Sequence, residues 1–530
     1  MNPDELDPNG QIPAVDEELE AELAAFAEEE SKKLGLHRQQ YTETINKVFT
    51  GEQRAYTTMW ISGLSLAHDE LASRALRGIG YNVEVMDVPD NDALTFGKEF
   101  GNRGQCSPTY FTVGNLIKHL VTMRDVHGIP TKEIIEKHLF LTAGACGPCR
   151  FGTYVTEYRK ALRDSGFEGF RVMLFQQQGG IKQATGDELG LKLNAAFAVA
   201  LVTGLLAGDT LNLVGYRMRP YEVVPGSVNK TMTECKKLVG DALEANGSVV
   251  LALLKCRRLL RKIELDRSQP KPVVSVIGEF WAMTTEGDGN YHMQSFLEQE
   301  GAEVDIQPLI NWLLFMVWEN KYDTIDRMRL RDADGSRRGL QGKDATKKLW
   351  ILKAADGAMR GVFYTYATVL GLHGYHLPDM DEIARLAAAH YDNNIRGGEG
   401  HMEVGKLLHF IEDEVNHMTL SVKPFGCMPS SGVSDGVQSI VQSEHPTSLF
   451  IPIETTGDGE VNAHSRVQMM LFKARNKARD EFDRALEETG QTPEGFRARL
   501  KSSWRGRISK FWRPKHKRAG QAANLVYALG

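Results

Sequence analysis

The fold is decided by the stretch "YTTMWISGLSLAHDELASRALRGIGYNVEVMDVPDN" at residues 56–91. It opens as an apolar strand, continues as an amphipathic helix and closes as a second strand, "YNVEVMDV". The same alternation continues in "HLFLTAG" (138–144) and "GFRVMLFQQQGG" (169–180). Strands that alternate with helices predict a parallel sheet covered by helices on both faces.

A second unit of the same kind follows the polar, proline-punctuated stretch "DRSQPKP" (266–272). Its strands are predicted in "VVSVIGEFWA" (273–282), "HMTLSVKPFGCMPSSG" (417–432) and "TSLFIPIETTGD" (447–458), with a long helical insert between them. We therefore predict an α/β protein of two Rossmann-like domains with helical inserts. The expected parts are an acidic helical segment 1–50, a first domain 51–268, a second domain 269–475 and a basic helical tail 476–530.

Composition indicates a globular protein, since 42% of the 530 residues are hydrophobic and the net charge is only -6. No run approaches the roughly 18–20 apolar residues of a membrane-spanning helix. The acidic start also lacks the pattern of a signal peptide. We expect a cytoplasmic protein without a membrane partner, in which cysteines serve metal binding or catalysis rather than disulfides.

The charge is unevenly distributed along the chain. Residues 1–30 contain no Lys or Arg, whereas "KSSWRGRISKFWRPKHKRAG" (501–520) contains no acids. The second segment resembles a nucleic-acid-binding tail in its interleaved aromatics, but the pI of about 6.2 indicates no broad basic face. We expect a solvated tail that docks on an acidic surface, with the chain's own N-terminus as one candidate, and we do not expect a nucleic-acid partner.

Three of the six cysteines share one local pattern, Cys-x-Pro: "QCSP" at Cys106, "CGPC" at Cys146 and "GCMP" at Cys427. Proline at this spacing stiffens a turn and prevents the loop from continuing as a helix. Adjacent glycines let the backbone approach a bulky ligand. Cys235 and Cys256 instead lie in helical patterns and are expected to be plain buried or half-buried helix cysteines.

Three chemistries remain open for Cys106, Cys146, Cys149 and Cys427. A dithiol–disulfide oxidoreductase would need only Cys146 and Cys149 at a helix start. Structural zinc usually takes ligand pairs that are close in sequence, which these cysteines as a set are not. An iron–sulfur cluster accepts single cysteines that are far apart in the chain.

Carboxylates and histidines near the predicted strand ends supply weaker candidates. Glu279 follows a strand at the edge where α/β proteins bind ligands, and Glu454 and Asp458 follow another. Each also has an ordinary interpretation, because Glu279 suits a helix cap and Asp458 lies in a Gly-Asp-Gly turn. His401 and His464 are proton-donor candidates whose ordinary interpretation is a simple hydrogen bond.

The segments "CGPCRFGTYVTEYRKALRDSGF", "GEFWAMTTEGDGNYHMQSFLEQEGAEV" and "SVKPFGCMPSSGVSDGVQSIV" resemble the cluster-binding components of the 2-hydroxyacyl-CoA dehydratase and benzoyl-CoA reductase family. The resemblance covers about residues 55–475 and is strongest to the version found in large CoA-substrate-specific enzyme activase proteins. It implies an electron-accepting component of an ATP-dependent reductase or dehydratase. The implied partner is a separate actin-like ATPase activator that carries its own [4Fe-4S] cluster.

The same resemblance implies a [4Fe-4S] cluster, or a double-cubane cluster as in one branch of the family. Its ligands would be Cys106, Cys427 and one or both of Cys146 and Cys149, since the family often uses three cysteines. The chain lacks the glycine-rich phosphate loop of the ATPase modules, so ATP is expected on the partner and not on this chain. An acyl-CoA or other small substrate is implied in class only, and a non-catalytic scaffold remains an alternative. The sequence leaves the oligomeric state open.

Overall fold

The computed structural model describes residues 49–144, 149–176, 190–328, 344–395 and 398–530, with six further positions between 22 and 33. Residues 1–45 and 46–530 form two separate units, and every element named below belongs to the second. The predicted acidic segment 1–50 lies almost wholly outside the described residues. Cys146 lies outside them as well.

The first half contains a four-stranded, all-parallel sheet in the order β2-β1-β3-β4. Side chains along β3 alternate between the two faces, because Leu139 and Leu141 join one apolar cluster and Phe140 joins another. Both faces are thus covered. The strands are β1 Thr58–Ile61, β2 Val83–Val85, β3 His138–Gly144 and β4 Arg171–Gln176. The helices are α1 Leu66–Gly78, α2 Asn91–Phe100, α3 Ser107–Asp125, α4 Thr131–Lys137, α5 Tyr154–Asp164, α6 Ala195–Met218, α7 Ser227–Glu244 and α8 Val249–Leu260.

The second half repeats this arrangement with a parallel sheet in the order β6-β5-β7-β8. Every residue of β5 and β7 is buried, as expected for central parallel strands. The strands are β5 Val273–Gly278, β6 Glu303–Ile306, β7 Met418–Pro424 and β8 Phe450–Thr455. The helices are α9 Phe280–Thr284, α10 Met293–Gln299, α11 Leu309–Met328, α12 Ala345–Leu370, α13 Met380–Ala387, α14 Gly400–Glu412, α15 Asp435–Glu444, α16 Glu460–Thr489, α17 Pro493–Ser502, α18 Trp504–Ile508 and α19 Gln521–Leu529.

The predicted fold class is confirmed, since two all-parallel sheets with one shared strand order are flanked by helices. The expected division at 268/269 falls in the linker between α8 and β5. The expected division at 475/476 falls inside α16. One large apolar core contains residues of both halves, such as Leu206 of α6 and Val274 of β5.

Helix α6 corrects the expectation that no segment is long and apolar enough to span a membrane. Residues 195–221 meet that test by length and composition. In the fold, 61% of the most apolar 18-residue stretch of this segment is buried, and α6 packs against α1, α7, α12 and β6. This is the environment of a core helix, and its apolar character follows from being surrounded by other elements.

The basic tail docks on the body of the chain. Arg513 forms an ion pair with Glu303 of β6, and the backbone N–H of Gly520 donates to Glu481. His516 contacts the backbone oxygen of Asp413 at 3.0 Å. The sequence predicted that this tail docks on an acidic surface, with the chain's own N-terminus as one candidate. Arg513 meets an acidic side chain in β6, whereas docking on the N-terminus stays a prediction, because residues 1–30 lie almost wholly outside the described part of the chain.

Candidate functional site

The two cysteine loops at Cys106 and Cys427 meet, although they belong to different halves of the chain. Cys106 is the N-cap residue of α3, and Cys427 follows the end of β7. The backbone N–H of Ser107 donates to the carbonyl oxygen of Phe425 at 2.9 Å. This bond fixes the two loops against each other.

Gly426 allows this close approach. Its φ is +77°, and a Cβ placed there would lie 3.2 Å from the Cα of Cys106 and 3.2 Å from the carbonyl oxygen of Gln105. A side chain would therefore be both strained and crowded against backbone. The glycine before Cys427 brings the two loops together.

Cys106 lies in a buried polar pocket formed by the first turn of α3 and by α5. Its Sγ is 3.1 Å from Thr109 Oγ1 and 3.2 Å from Tyr154 Oη, and the residue is 5% exposed. Burial raises the pKa of this thiol above its ordinary value. Two hydroxyl groups are thus in place to donate to the sulfur once it is a thiolate.

Cys149 and Cys427 lie in the same electrostatic environment. Burial raises the pKa of the Cys149 thiol to about 12, and the charges of Glu399, Glu279 and Cys106 act in the same direction. Burial also raises the pKa of Cys427, as does the charge of Glu279. Cys149 follows β3 of the first sheet, so the ends of β3 and β7 contribute thiols to one region.

Three glutamates accompany the thiols. Glu279 caps α9 by accepting from the N–H of Ala282 at 2.8 Å, and Glu399 accepts from the N–H of Phe280 at 2.6 Å. Burial raises the pKa of Glu279 to about 7 and that of Glu399 well above its ordinary value. Both carboxyl groups therefore tend to hold a proton near neutral pH.

Glu403 is the most completely buried carboxylate of the three, at 2% exposure. Its Oε1 accepts from the hydroxyl of Ser430 and its Oε2 from that of Ser434, and Oε2 lies 3.5 Å from Lys423 Nζ. Lys423 is itself buried, at the end of β7. This network connects the start of α14 to the segment that follows Cys427.

Sequence reasoning selected Glu279 but missed Glu399, Glu403, Lys423 and Tyr154. The available signal was "GGEGHMEVG", where a glycine-rich turn precedes a helix and two acids are four residues apart. In the structure Glu399 is the N-cap residue of α14 and Glu403 lies in its first turn. Glu279 caps α9, as its ordinary interpretation predicted, and it also lies directly after β5, at the strand end where a ligand site was predicted.

The other two carboxylate candidates are exposed. Glu454 is on β8, the edge strand of the second sheet, and Asp458 is in the turn that follows. The hydroxyl of Thr456 donates to Asp458 and lowers the pKa of that carboxyl. Gly457 beside it has φ +98°, which agrees with the turn interpretation.

The two histidine candidates are held in aromatic packing. His401 is buried, with its ring 4.8 Å from Phe315 and 4.9 Å from Trp318. His464 stacks on Phe296 at 3.8 Å, and its Nε2 contacts the backbone oxygen of Tyr291 at 2.8 Å.

Cys235 and Cys256 are completely buried in α7 and α8, where Cys256 Sγ contacts the carbonyl oxygen of Cys235 at 3.6 Å. Their prediction as helix-core cysteines is confirmed. Cys146 lies outside the described residues. Among the residues that are described, no three His, Cys, Asp or Glu side chains are grouped to hold a metal ion.

Apolar side chains surround the Cys427 loop on the surface. Phe425 is 55% exposed, Met428 46% and Val433 40%. Exposed apolar groups clustered beside a buried polar site are typical of a surface that meets a partner or a substrate.

Comparison of the chain with models of known protein families found no match, and comparison with curated proteins found no significant match.

Proposed function

We propose that this chain holds an iron–sulfur cluster between its two halves and acts as the electron-accepting component of an ATP-dependent reductase or dehydratase. The observation that carries the proposal is the contact between the Cys106 and Cys427 loops, with Cys149 in the same electrostatic environment. The ligands would be Cys106, Cys149 and Cys427, with Cys146 as the fourth candidate.

The chemistry of the donor set fits such a group. Three largely buried thiols lie among carboxylates, so each thiol is held protonated unless a cation replaces its proton. Metal coordination deprotonates a thiol outright. The ligands of an iron–sulfur cluster bind different irons, so single cysteines from separate loops can hold it.

When bound, the cluster would supply a one-electron site whose potential depends on burial and on hydrogen bonds to sulfur. The chain's own residues would set those conditions. Thr109 and Tyr154 would donate to Cys106 Sγ, and the α3 and α5 packing would exclude water from it. Glu279 and Glu399 would hold protons at their carboxyl oxygens beside the thiols.

The partner and the substrate are proposed from the family resemblance alone. The partner would be an actin-like ATPase with its own [4Fe-4S] cluster, and the exposed Phe425 and Met428 offer it an apolar surface beside Cys427. The substrate would be an acyl-CoA or another small molecule.

The test is iron and sulfide analysis of protein purified without oxygen. We expect about four irons and four sulfides per chain for a [4Fe-4S] cluster. The variants Cys106→Ala, Cys149→Ala and Cys427→Ala should each lose most of the iron. Cys256→Ala is the matched control, because it removes a buried cysteine from the α7–α8 packing and should keep the iron.

Two results would contradict the proposal: a wild-type protein without iron, or Cys106→Ala and Cys427→Ala proteins that retain it. The dithiol alternative predicts the first result, because disulfide exchange needs only the thiols of Cys146 and Cys149 and no iron. On that alternative, Cys106→Ser and Cys427→Ser should leave the redox activity intact.

A further inference from the structure

A second feature of the molecule is a cleft of about 830 Å³ between the 264–269 linker, the end of α8 and the basic tail. None of the cysteines or glutamates described above lines it. Its size lies within the range of about 300–1,000 Å³ that small-molecule sites occupy. The cleft is therefore large enough for a ligand of its own.

The lining is strongly basic. Five arginines and two lysines face two carboxylates, Glu264 and Asp266. Asp266 already accepts from Ser268 Oγ at 2.6 Å and from Gln269 Nε2 at 2.9 Å. Within the described part of the chain, none of the seven cations lies within 4.0 Å of a carboxylate oxygen.

Arg267 gives the strongest indication of a missing anion. It is 6% exposed and lines the cleft. One Nη donates to the carbonyl oxygen of Lys510 at 3.1 Å, and the guanidinium lies 4.4 Å from the Tyr221 ring centroid. Its Nε has no hydrogen-bond partner among the described residues. A buried cation without a counter-ion is costly, so a ligand that supplies negative charge here would be strongly favoured.

The neighbouring cations are held close to one another. Lys510 Nζ donates to the carbonyl oxygen of Arg261 at 3.1 Å, which ties the tail to the end of α8. Burial and the charge of Arg261 lower the pKa of Arg257. An anion placed among these groups would relieve their mutual repulsion.

The tail also brings two half-buried aromatic side chains, Phe511 and Trp512, into the lining. The guanidinium group of arginine can donate two parallel hydrogen bonds to phosphate oxygens, and aromatic side chains stack on planar rings. From these observations we propose that the cleft binds a small phosphorylated ligand of the nucleoside diphosphate class, with its phosphates on the arginines and its ring against the tail aromatics.

This site would need no glycine-rich phosphate loop, because side chains rather than backbone N–H groups contact the phosphates. The sequence-based expectation that nucleotide binds only a partner rested on the absence of that loop. A single nucleic-acid strand is the rival occupant, and the dimensions of the cleft favour the small ligand.

The experiment is isothermal titration calorimetry on the full chain with ADP, pyrophosphate and adenosine as probes. We expect one ADP per chain, displacement of ADP by pyrophosphate, and weaker binding of adenosine. The double variant Arg261→Gln/Arg497→Gln should weaken ADP binding at least about tenfold, because it removes two charge-assisted contacts to phosphate. Both arginines are exposed at the cleft, and their replacement removes no buried contact.

The matched control is Lys473→Gln/Arg479→Gln, which removes two exposed cations from α16 outside the cleft. It should bind ADP like the wild type. Should the arginine variant unfold, Lys501→Gln at another exposed lining position replaces it. The proposal is overturned if neither ADP nor pyrophosphate binds saturably, or if both double variants weaken ADP binding equally. Single-stranded RNA is the probe for the rival occupant. RNA that binds the chain and is not displaced by ADP would also overturn the proposal. The site involves no cysteine loop, so cluster-free protein serves equally and failure here leaves the cluster proposal untouched.

Discussion

At the scale of single residues, Cys149 is a thiol surrounded by acids. Its pKa of about 12 predicts that metal-free protein alkylates there far more slowly than a free cysteine at about pH 8, because the thiolate is the reactive form. Mass spectrometry of the iodoacetamide-treated protein measures the rate at this peptide. The same protein unfolded in guanidinium is the control and should react at the ordinary rate. Rapid alkylation of the folded protein would instead indicate an activated dithiol.

Asp69 supplies a pH prediction that is independent of the cysteines. It is 7% exposed, and burial raises its pKa from 3.8 to about 7, with the charge of His68 opposing the rise and that of Glu286 adding to it. The folded protein therefore keeps a proton that the unfolded chain releases between these two values. The contribution of Asp69 to the free energy of unfolding is therefore full below pH 3.8, and it is lost as pH rises through about 7.

The variant Asp69→Asn carries no such charge and keeps an oxygen to accept from the N–H of Leu64. Near pH 8 it should be more stable than the wild type, by at most about 4 kcal/mol. The two should converge towards pH 4. Thermal unfolding midpoints across this range measure the difference, and Glu279 and Glu399 contribute equally to both proteins. A constant difference between the two proteins at every pH would refute this account of Asp69.

At the scale of elements, the contact between the two cysteine loops depends on Gly426. Gly426→Ala should reduce bound iron several-fold while the protein stays folded, because the new Cβ pushes against the backbone at Cys106. Gly104→Ala is the matched control. Its φ of +75° imposes the same backbone strain, but nothing lies within 4 Å of its Cβ position. Iron loss that is equal in both variants would mean that strain, and not loop contact, matters.

A second group of buried polar side chains connects three helices and has the residue types of a Ser-His-Asp catalytic triad. Ser65 Oγ lies 2.7 Å from His68 Nδ1, and His68 Nε2 lies 3.0 Å from Asp209 Oδ1. Asp209 also accepts from the N–H groups of Leu309 and Ile310 at the start of α11. The adjoining cavity is about 10 Å³, which leaves no room for a substrate. We interpret the group as a structural link between α1, α6 and α11.

This interpretation predicts that Asp209→Ala destabilises the protein by about 3 kcal/mol or more, since two buried N–H groups lose their acceptor. Ser65→Ala removes an N-cap hydroxyl and should cost about 1 kcal/mol. Denaturant unfolding midpoints rank the two variants. An Asp209→Ala protein as stable as the wild type would contradict the structural function.

At the scale of the whole molecule, periodicity was enough to predict the architecture. The apolar runs at β1, β3, β5 and β7 are short and lie between amphipathic helices. Strands that alternate with helices in this way form parallel sheets, because each helix returns the chain to the same end of the sheet. The Cys-x-Pro pattern also pointed to Cys106 and Cys427 as loop cysteines of one kind, and the structure brings these two loops together.

The remaining parts depend on long-range contacts that a local pattern does not contain. Glu399 and Glu403 enter the site from the start of α14, which is separated from β6 by the three helices α11, α12 and α13. The basic cleft exists only because the tail returns to the 264–269 linker. Helix α6 is apolar because both halves pack against it, which no composition rule distinguishes from a membrane span.

The central claim is that cysteines from the two halves hold one iron–sulfur cluster. X-ray absorption at the iron edge, on wild-type protein purified without oxygen, tests it most directly. We predict a shell of sulfur neighbours together with iron–iron scattering, and loss of both in Cys427→Ala. Iron surrounded only by oxygen or nitrogen, or iron–iron scattering that survives in Cys427→Ala, would contradict the claim.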